Sequence, residues 1–154
     1  MKLRPNLDDF FSLICFKAVI AGMEDILGKE GTSAALIAAG RKRGRDVADS
    51  LGITGKNLPT SEIAKSLNEV FGEKGTRLCI ISEVTETPDN GYLVKTRETI
   101  CMAGEPAGSS QSCTFTLGAV IGCLEAITNK LLVGKHVTKI TDGSPTDDFL
   151  ITPK

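Results

Sequence analysis

Hydrophobic positions recur with two different periods along this chain, and the period changes near residue 77. Upstream of that point, three segments carry helical spacing. The first, over residues 7–27, is apolar on nearly its whole circumference through Phe10, Phe11, Leu13, Ile14, Phe16, Val19 and Ile20. Asn6, behind Pro5, is placed to cap its start, and Gly28 to close it. The second, over residues 32–51, gathers Ala35, Ala39, Gly40, Gly44 and Ala48 near one face. Glycine inside a helix costs roughly 1 kcal/mol relative to alanine. Two glycines four apart therefore predict the close approach of another backbone. The third helix follows Pro59, with Thr60 as its predicted cap, and ends near Gly72. Its stripe is Ile63, Leu67, Val70 and Phe71.

Beyond residue 77 the period becomes two. Residues 77–86 and 92–100 read as paired strands about the turn Pro88-Asp89-Asn90-Gly91. A loop over 101–112 leads into a helix over 115–130, whose stripe is Leu117, Val120, Ile121, Leu124 and Ile127. A last hairpin, over 136–151, turns at 142–145. Helices followed by a hairpin, a helix and a hairpin predict an α+β fold. Residues 1–154 form one domain in this reading, with an antiparallel sheet.

The greasy first segment narrows the possibilities. A membrane span needs about 20 apolar residues, and Lys17 interrupts this run. Asp8 and Asp9 before it, with Glu24 and Asp25 after it, argue against a signal peptide. One domain core covers only one stripe of a helix. Apolar residues all round it predict a second partner surface, most simply another copy of the chain docked through residues 1–30.

Composition removes other classes. With 18 basic and 19 acidic residues the net charge is −1, which gives no footprint for nucleic acid or an anionic membrane. Trp is absent and Tyr occurs once, so base-stacking platforms are scarce. The five cysteines, Cys15, Cys79, Cys101, Cys113 and Cys123, form no CxxC pair. Their widely spaced, mostly apolar settings point to a reducing, cytoplasmic protein.

Candidate chemistry is sparse. Arg41-Lys42-Arg43-Gly44-Arg45 is the densest basic cluster, but helical geometry spreads its charges round the surface. Arg41 and Arg45 align, and one of them can reach inward to pair with the carboxylate head of an apolar ligand. His136 is the only histidine and has no recognisable partner in sequence. Cys101 and Cys113 bracket the loop and are the weak candidates for a metal or redox pair. Asp142, Asp147 and Asp148 read as surface acids of a turn, without calcium-loop spacing. The stretch 104–108 has glycines but no lysine, so it is no phosphate-binding loop. No complete catalytic set emerges and no cofactor is implied, which argues against an enzyme.

Three stretches together resemble the V4R (4-vinyl reductase) family of small-molecule-binding domains. Ala39-Gly40-Arg41-Lys42-Arg43-Gly44-Arg45, after Glu30-Gly31, is similar to its Gly-Arg helix. Cys113-Thr114-Phe115-Thr116-Leu117-Gly118, followed by Gly122-Cys123-Leu124-Glu125, is similar to its C-x-F-x-x-G-x-x-x-G helix. Val137, Asp142-Gly143 and Asp147-Asp148-Phe149 fall where that family has its terminal hairpin. The family is related in fold to TRAPP trafficking subunits and to haem-based nitric-oxide sensor domains. Its members often carry paired cysteines in that hairpin, where this chain has Asp142 and Asp147. The resemblance therefore implies a pocket and a dimer, but no metal or thiol chemistry in the hairpin.

The sequence thus predicts a non-enzymatic, homodimeric domain for a small apolar or amphipathic ligand: a hydrocarbon, a lipid or a tetrapyrrole-like molecule. Leu117, Val120, Ile121 and Leu124 would wall the pocket with Phe71 and Phe115. Gly118 and Gly122 would let their helix approach the sheet or the ligand. Arg41 and Arg45 would orient a polar head. Two alternatives remain open. One is an assembly subunit resembling TRAPP components, motivated by the apolar first helix. The other is a cysteine-based redox or metal sensor using Cys101 and Cys113.

Overall fold

A computed structural model describes Arg4 and residues 12–106, 109–141 and 144–154, without the side chains of 138–141 and 144–145. The predicted cap Asn6, with Phe10 and Phe11, lies outside the described residues. The chain divides into two compact units, Met1–Thr32 and Ser33–Lys154.

One long helix, α1 (Leu13–Ser50), contributes to both units. It is interrupted at Gly28, whose φ of 70° and ψ of 168° suit a residue without Cβ. The break falls where the first helix was expected to close. The second helical run follows directly on Gly28, without waiting for Thr32. Within the first unit, Ile14 and Ile26 are 79% and 84% exposed, and Leu13, Val19 and Leu27 are also exposed. Among the described residues no helix is long and apolar enough to cross a membrane.

The second unit is an α+β arrangement. Helix α2 (Thr60–Phe71) is followed by strands β1 (Ile80–Glu86) and β2 (Tyr92–Arg97), helix α3 (Thr114–Thr128), and strands β3 (Leu132–Thr141) and β4 (Ser144–Pro153). The four strands form one antiparallel sheet in the order β1-β2-β4-β3, so the two hairpins join through β2 and β4. Pro59, not Thr60, caps α2: its carbonyl accepts from the N–H groups of Glu62 and Ile63. Proline fixes the extended entry, and Thr60 becomes the first helical residue. Ile63, Leu67 and Phe71 are buried as their spacing requires. The β1–β2 turn uses Asn90 at φ 59° and closes through Thr87 N–H to Gly91 O at 3.0 Å. The last hairpin is longer than expected, because both its strands extend past the predicted ends.

Strand alternation sets the inner face of the sheet. Val94 pairs with Phe149, which pairs in turn with His136; Tyr92 pairs with Ile151, and Thr96 with Asp147. His136 is half-buried and the others are buried, Phe149, Ile151 and Val94 fully so. Full burial of one such apolar side chain contributes about 1.5–3 kcal/mol.

Helix α3 is buried on nearly every side, at Thr114, from Thr116 through Leu124 and at Ile127. One side faces β3: a Cβ built on Gly134 would meet Leu117, Ile121 and Ile151 side chains at 3.1 Å. The other side meets residues 37–44 of α1. A methyl group at Gly40 or Gly44 would overlap the carbonyl oxygens of Phe115 or Ala119, and one at Gly118 or Gly122 those of Ile37 or Arg41. The two glycine pairs therefore interlock. The close approach predicted for Gly40 and Gly44 is present. Gly118 and Gly122 use theirs on α1, whereas the sequence reading had them approach the sheet or a ligand. Asn129 ends α3 in the left-handed conformation at φ 54°.

Candidate functional site

Polar groups converge at the N-terminal end of α3, in an otherwise apolar interior. Cys113 is the residue before the helix and is fully buried. His136 comes from β3 and Asp147 from β4. Their pairing register puts both on the inner face, with side chains 7% and 8% exposed. One sulfur, one nitrogen and one carboxylate oxygen from these three lie within 4.8 Å of one another.

A hydrogen-bond network fixes the group. His136 Nε2 meets Asp147 Oδ1 at 2.9 Å, while its Nδ1 accepts from the Cys113 N–H at 3.5 Å. That arrangement favours the tautomer with its proton on Nε2. The Thr99 hydroxyl donates to Asp147 Oδ2 at 2.5 Å and accepts from the Cys113 thiol at 3.1 Å. Thr96 donates to the Asp147 backbone carbonyl. Phe149 seals one side of the imidazole, edge to face at 5.9 Å between centroids. A buried carboxylate needs such partners, since an unpaired one costs several kcal/mol.

Cys101, at the end of the segment that follows β2, joins the cluster. Its sulfur lies 3.8 Å from the Thr116 hydroxyl. The neighbouring Cys113 first, then Thr116, pull the Cys101 thiol below its ordinary value against the opposing effect of burial. Cys113 moves the other way, through its neighbour Cys101 and its own burial. Cys79 and Cys123 are each pushed up to about 12, chiefly by burial.

The other predicted site residues fall elsewhere. Phe71, Val120 and Leu124 have no exposed surface, and Leu117 and Ile121 almost none. Phe115 is half-buried. Arg41 does reach inward, as one arginine was expected to, but its partner is a carboxylate of the chain itself. It binds Glu125 of α3 at 2.5 Å and donates to the Leu132 carbonyl of β3 at 2.7 Å. Glu125 also accepts from the Leu132 N–H at 3.1 Å, and Arg45 lies 3.5 Å from its second oxygen. This strap ties α1, α3 and the start of β3. Glu125→Gln should cost about 1–2 kcal/mol, since each charged hydrogen bond contributes roughly that much and Arg41 is partly solvated. Urea unfolding followed by circular dichroism would measure it, and an unchanged midpoint would remove the strap from the stability argument.

Asp147 and Asp148 are not the surface acids expected of a turn: they are 6% and 2% exposed. Both lie within β4, which already runs from Ser144. An open cleft of about 470 Å³ is lined by Gly72, Glu73, Arg77, Cys79, Ile80 and Glu98, and shares no residue with the α3 stripe.

The architecture has a solved counterpart. The chain is similar in fold to the phenol-responsive sensory domain of the transcription activator PoxR, determined with phenol. The TM-score is 0.61, and the match covers 94% of this chain and 75% of that one at 14% identity. At that identity the likeness is one of fold. No protein-family model matches the chain, and no curated protein is similar to it in sequence.

Proposed function

We propose that this chain is a non-enzymatic sensory domain of V4R type that binds a small apolar or amphipathic molecule. The observation that supports it most is the make-up of the interior between α3 and the sheet. Apolar walls from Leu117, Ile121 and Phe149 end in the compact polar cluster of Thr99, Cys113, His136 and Asp147. Small-molecule sites combine apolar walls with a few orienting polar groups in this way. The fold shared with a phenol-responsive domain favours the same reading. The ligand would enter by displacing side chains of the α3 wall, with its polar end toward Thr99 and His136. Arg41 and Arg45 orient a ligand head only if they leave Glu125. Dimerisation through the first unit would cover the exposed Leu13, Ile14, Val19, Ile26 and Leu27. The setting would be the reducing, cytoplasmic one that the cysteine pattern implies.

Native mass spectrometry and thermal shift against phenol, fatty acids, isoprenoids and tetrapyrroles test the proposal. The expected result is a dimer mass, a bound ligand from one class, and a raised melting temperature with that class alone. A clean unliganded mass with no shift across the panel rejects ligand sensing. A monomer mass rejects the dimer.

A second reading is favoured by a specific observation: the converging sulfur, nitrogen and oxygen of Cys113, His136 and Asp147. Metal–ligand bonds of about 2.0–2.3 Å put neighbouring ligands roughly 3.5 Å apart in a tetrahedron. The spacing here needs only a small contraction to reach that. This mixed donor set suits Zn(II) over calcium or magnesium. Bound there, a metal would supply a cross-link between the start of α3 and the last hairpin. The same native mass spectra read it as one added metal mass per chain.

A further inference from the structure

We infer that the open cleft at the entry to β1 is a binding site for a small organic ammonium ion, an amine with a short apolar body. The cleft shares no residue with the proposed sensory interior, so the inference stands apart from that reading.

Three stretches build the cleft. The end of α2 and the turn after it give Gly72, Glu73 and Arg77; Cys79 and Ile80 lead into β1; Glu98 follows β2. The volume of about 470 Å³ falls within the ~300–1,000 Å³ of small-molecule sites. Backbone bonds hold the walls in place. Ile80 pairs with Arg97, and the Ile100 N–H donates to the Leu78 carbonyl at 3.0 Å. The turn is closed by Gly75 N–H to Gly72 O at 3.1 Å and Leu78 N–H to Phe71 O at 2.8 Å.

The backbone marks the same place. Among the described residues, the non-glycine positions with positive φ are three asparagines and two others. Asparagine tolerates that region. The other two are Arg77 at 56° and Glu98 at 52°, and both line this cleft. Backbone held in a sparsely populated region clusters at ligand-binding positions.

Charge selects the ligand class. Among the described residues, neither the Glu73 nor the Glu98 carboxylate has a hydrogen-bond or ion-pair partner, and both residues are exposed. Arg77 is committed to the turn, since its Nε donates to the Glu73 carbonyl at 3.2 Å. The lining therefore sets two acids against one base. Cys79 and Ile80 supply the less polar part. Cys79 is only 3% exposed, its thiol has no hydrogen-bond partner among the described residues, and burial keeps it uncharged. An ammonium group finds carboxylate acceptors here, and its hydrocarbon part covers Ile80. An anion would meet like charge.

The test titrates the full chain with phenethylammonium chloride, followed by backbone amide NMR. Phenethyl alcohol and phenylacetate serve as its neutral and anionic counterparts. Saturable shifts are expected at Gly72, Glu73, Cys79, Ile80 and Glu98 with the cation. The alcohol and the acid should bind about tenfold more weakly or less. Added salt should weaken the cation and spare the alcohol. Combining Glu73→Gln with Glu98→Gln should abolish the preference while the spectrum stays that of the folded chain, because both side chains are exposed. Absence of shifts at these residues, equal binding of all three compounds, or a preference that survives the double variant overturns the proposal. So do shifts centred on Thr99, Cys113 and His136, which would assign the amine to the sensory interior. None of the first three results touches the sensory reading, whose own test is bound mass and melting temperature.

Discussion

Gly122→Ala is expected to destabilise the protein by about 3 kcal/mol or more, seen as a large fall in urea midpoint. Inserting atoms into a filled interior usually costs about 1–3 kcal/mol, and more when the obstacle cannot move. Here it is backbone: the added methyl would overlap the Arg41 carbonyl oxygen and crowd the Arg41 Cα. No rotamer change relieves that clash. The helices must separate, which pulls Arg41 away from Glu125 and Leu132. Gly44→Ala should behave alike from the other side, through the Ala119 carbonyl. Gly22→Ala is the control. It is helical with nothing within 4 Å of a built Cβ, so alanine should be neutral or stabilise by up to ~1 kcal/mol. A Gly122→Ala protein that unfolds with the parent would mean that the helices are farther apart than described.

The same glycines show what the sequence could and could not reveal. Two glycines four apart in a helix are unfavourable enough to demand a reason, and close approach was the reason available. Which surface approaches is a tertiary fact. Gly118 and Gly122 could equally have met a sheet, a ligand or a helix. Only the shared spacing of Gly40/Gly44 and Gly118/Gly122 hinted that the pairs serve each other. Elements with strong punctuation were legible: Gly28 and Asn90 mark a boundary by tolerating positive φ, and Pro59 by fixing its own. The last hairpin carries weaker punctuation, and its strands begin earlier and end later than the apolar pattern alone suggests.

The polar cluster was partly readable. Phe149 is a large apolar residue that strand alternation places inward, and Asp147 precedes it by two. With β4 running from Ser144, Asp147 reads as an inward acid, which demands a partner. His136 then follows from the pairing register, since it sits opposite Phe149. Thr99 and Thr116 could not be found this way. Buried threonine hydroxyls leave no periodic signature, and their partners lie 48 and 15 residues away. Arg41 was read in part. The cluster allowed one arginine to reach inward toward a carboxylate, but the carboxylate it meets is Glu125 of the chain itself, beside the Leu132 carbonyl.

Asp147→Ala should cost about 3 kcal/mol even if the site holds neither ligand nor metal. The substitution removes the acceptor of the Thr99 hydroxyl at 2.5 Å and the partner of His136 Nε2 at 2.9 Å. Both groups stay buried, and each unsatisfied donor costs roughly 1–3 kcal/mol. Against this stands the relief of no longer burying a carboxylate, so the net loss falls below the sum. Asp147→Asn keeps the shape and an acceptor for Thr99, and should lose about half as much. The pairwise contribution can be isolated with Thr99→Val, alone and combined with Asp147→Ala, by urea unfolding. If the threonine and aspartate act as one unit, the double variant should be more stable than the summed single losses imply, by at least ~1 kcal/mol. Strict additivity would mean that the two side chains do not share the bond, and the cluster would then be a set of separately solvated groups.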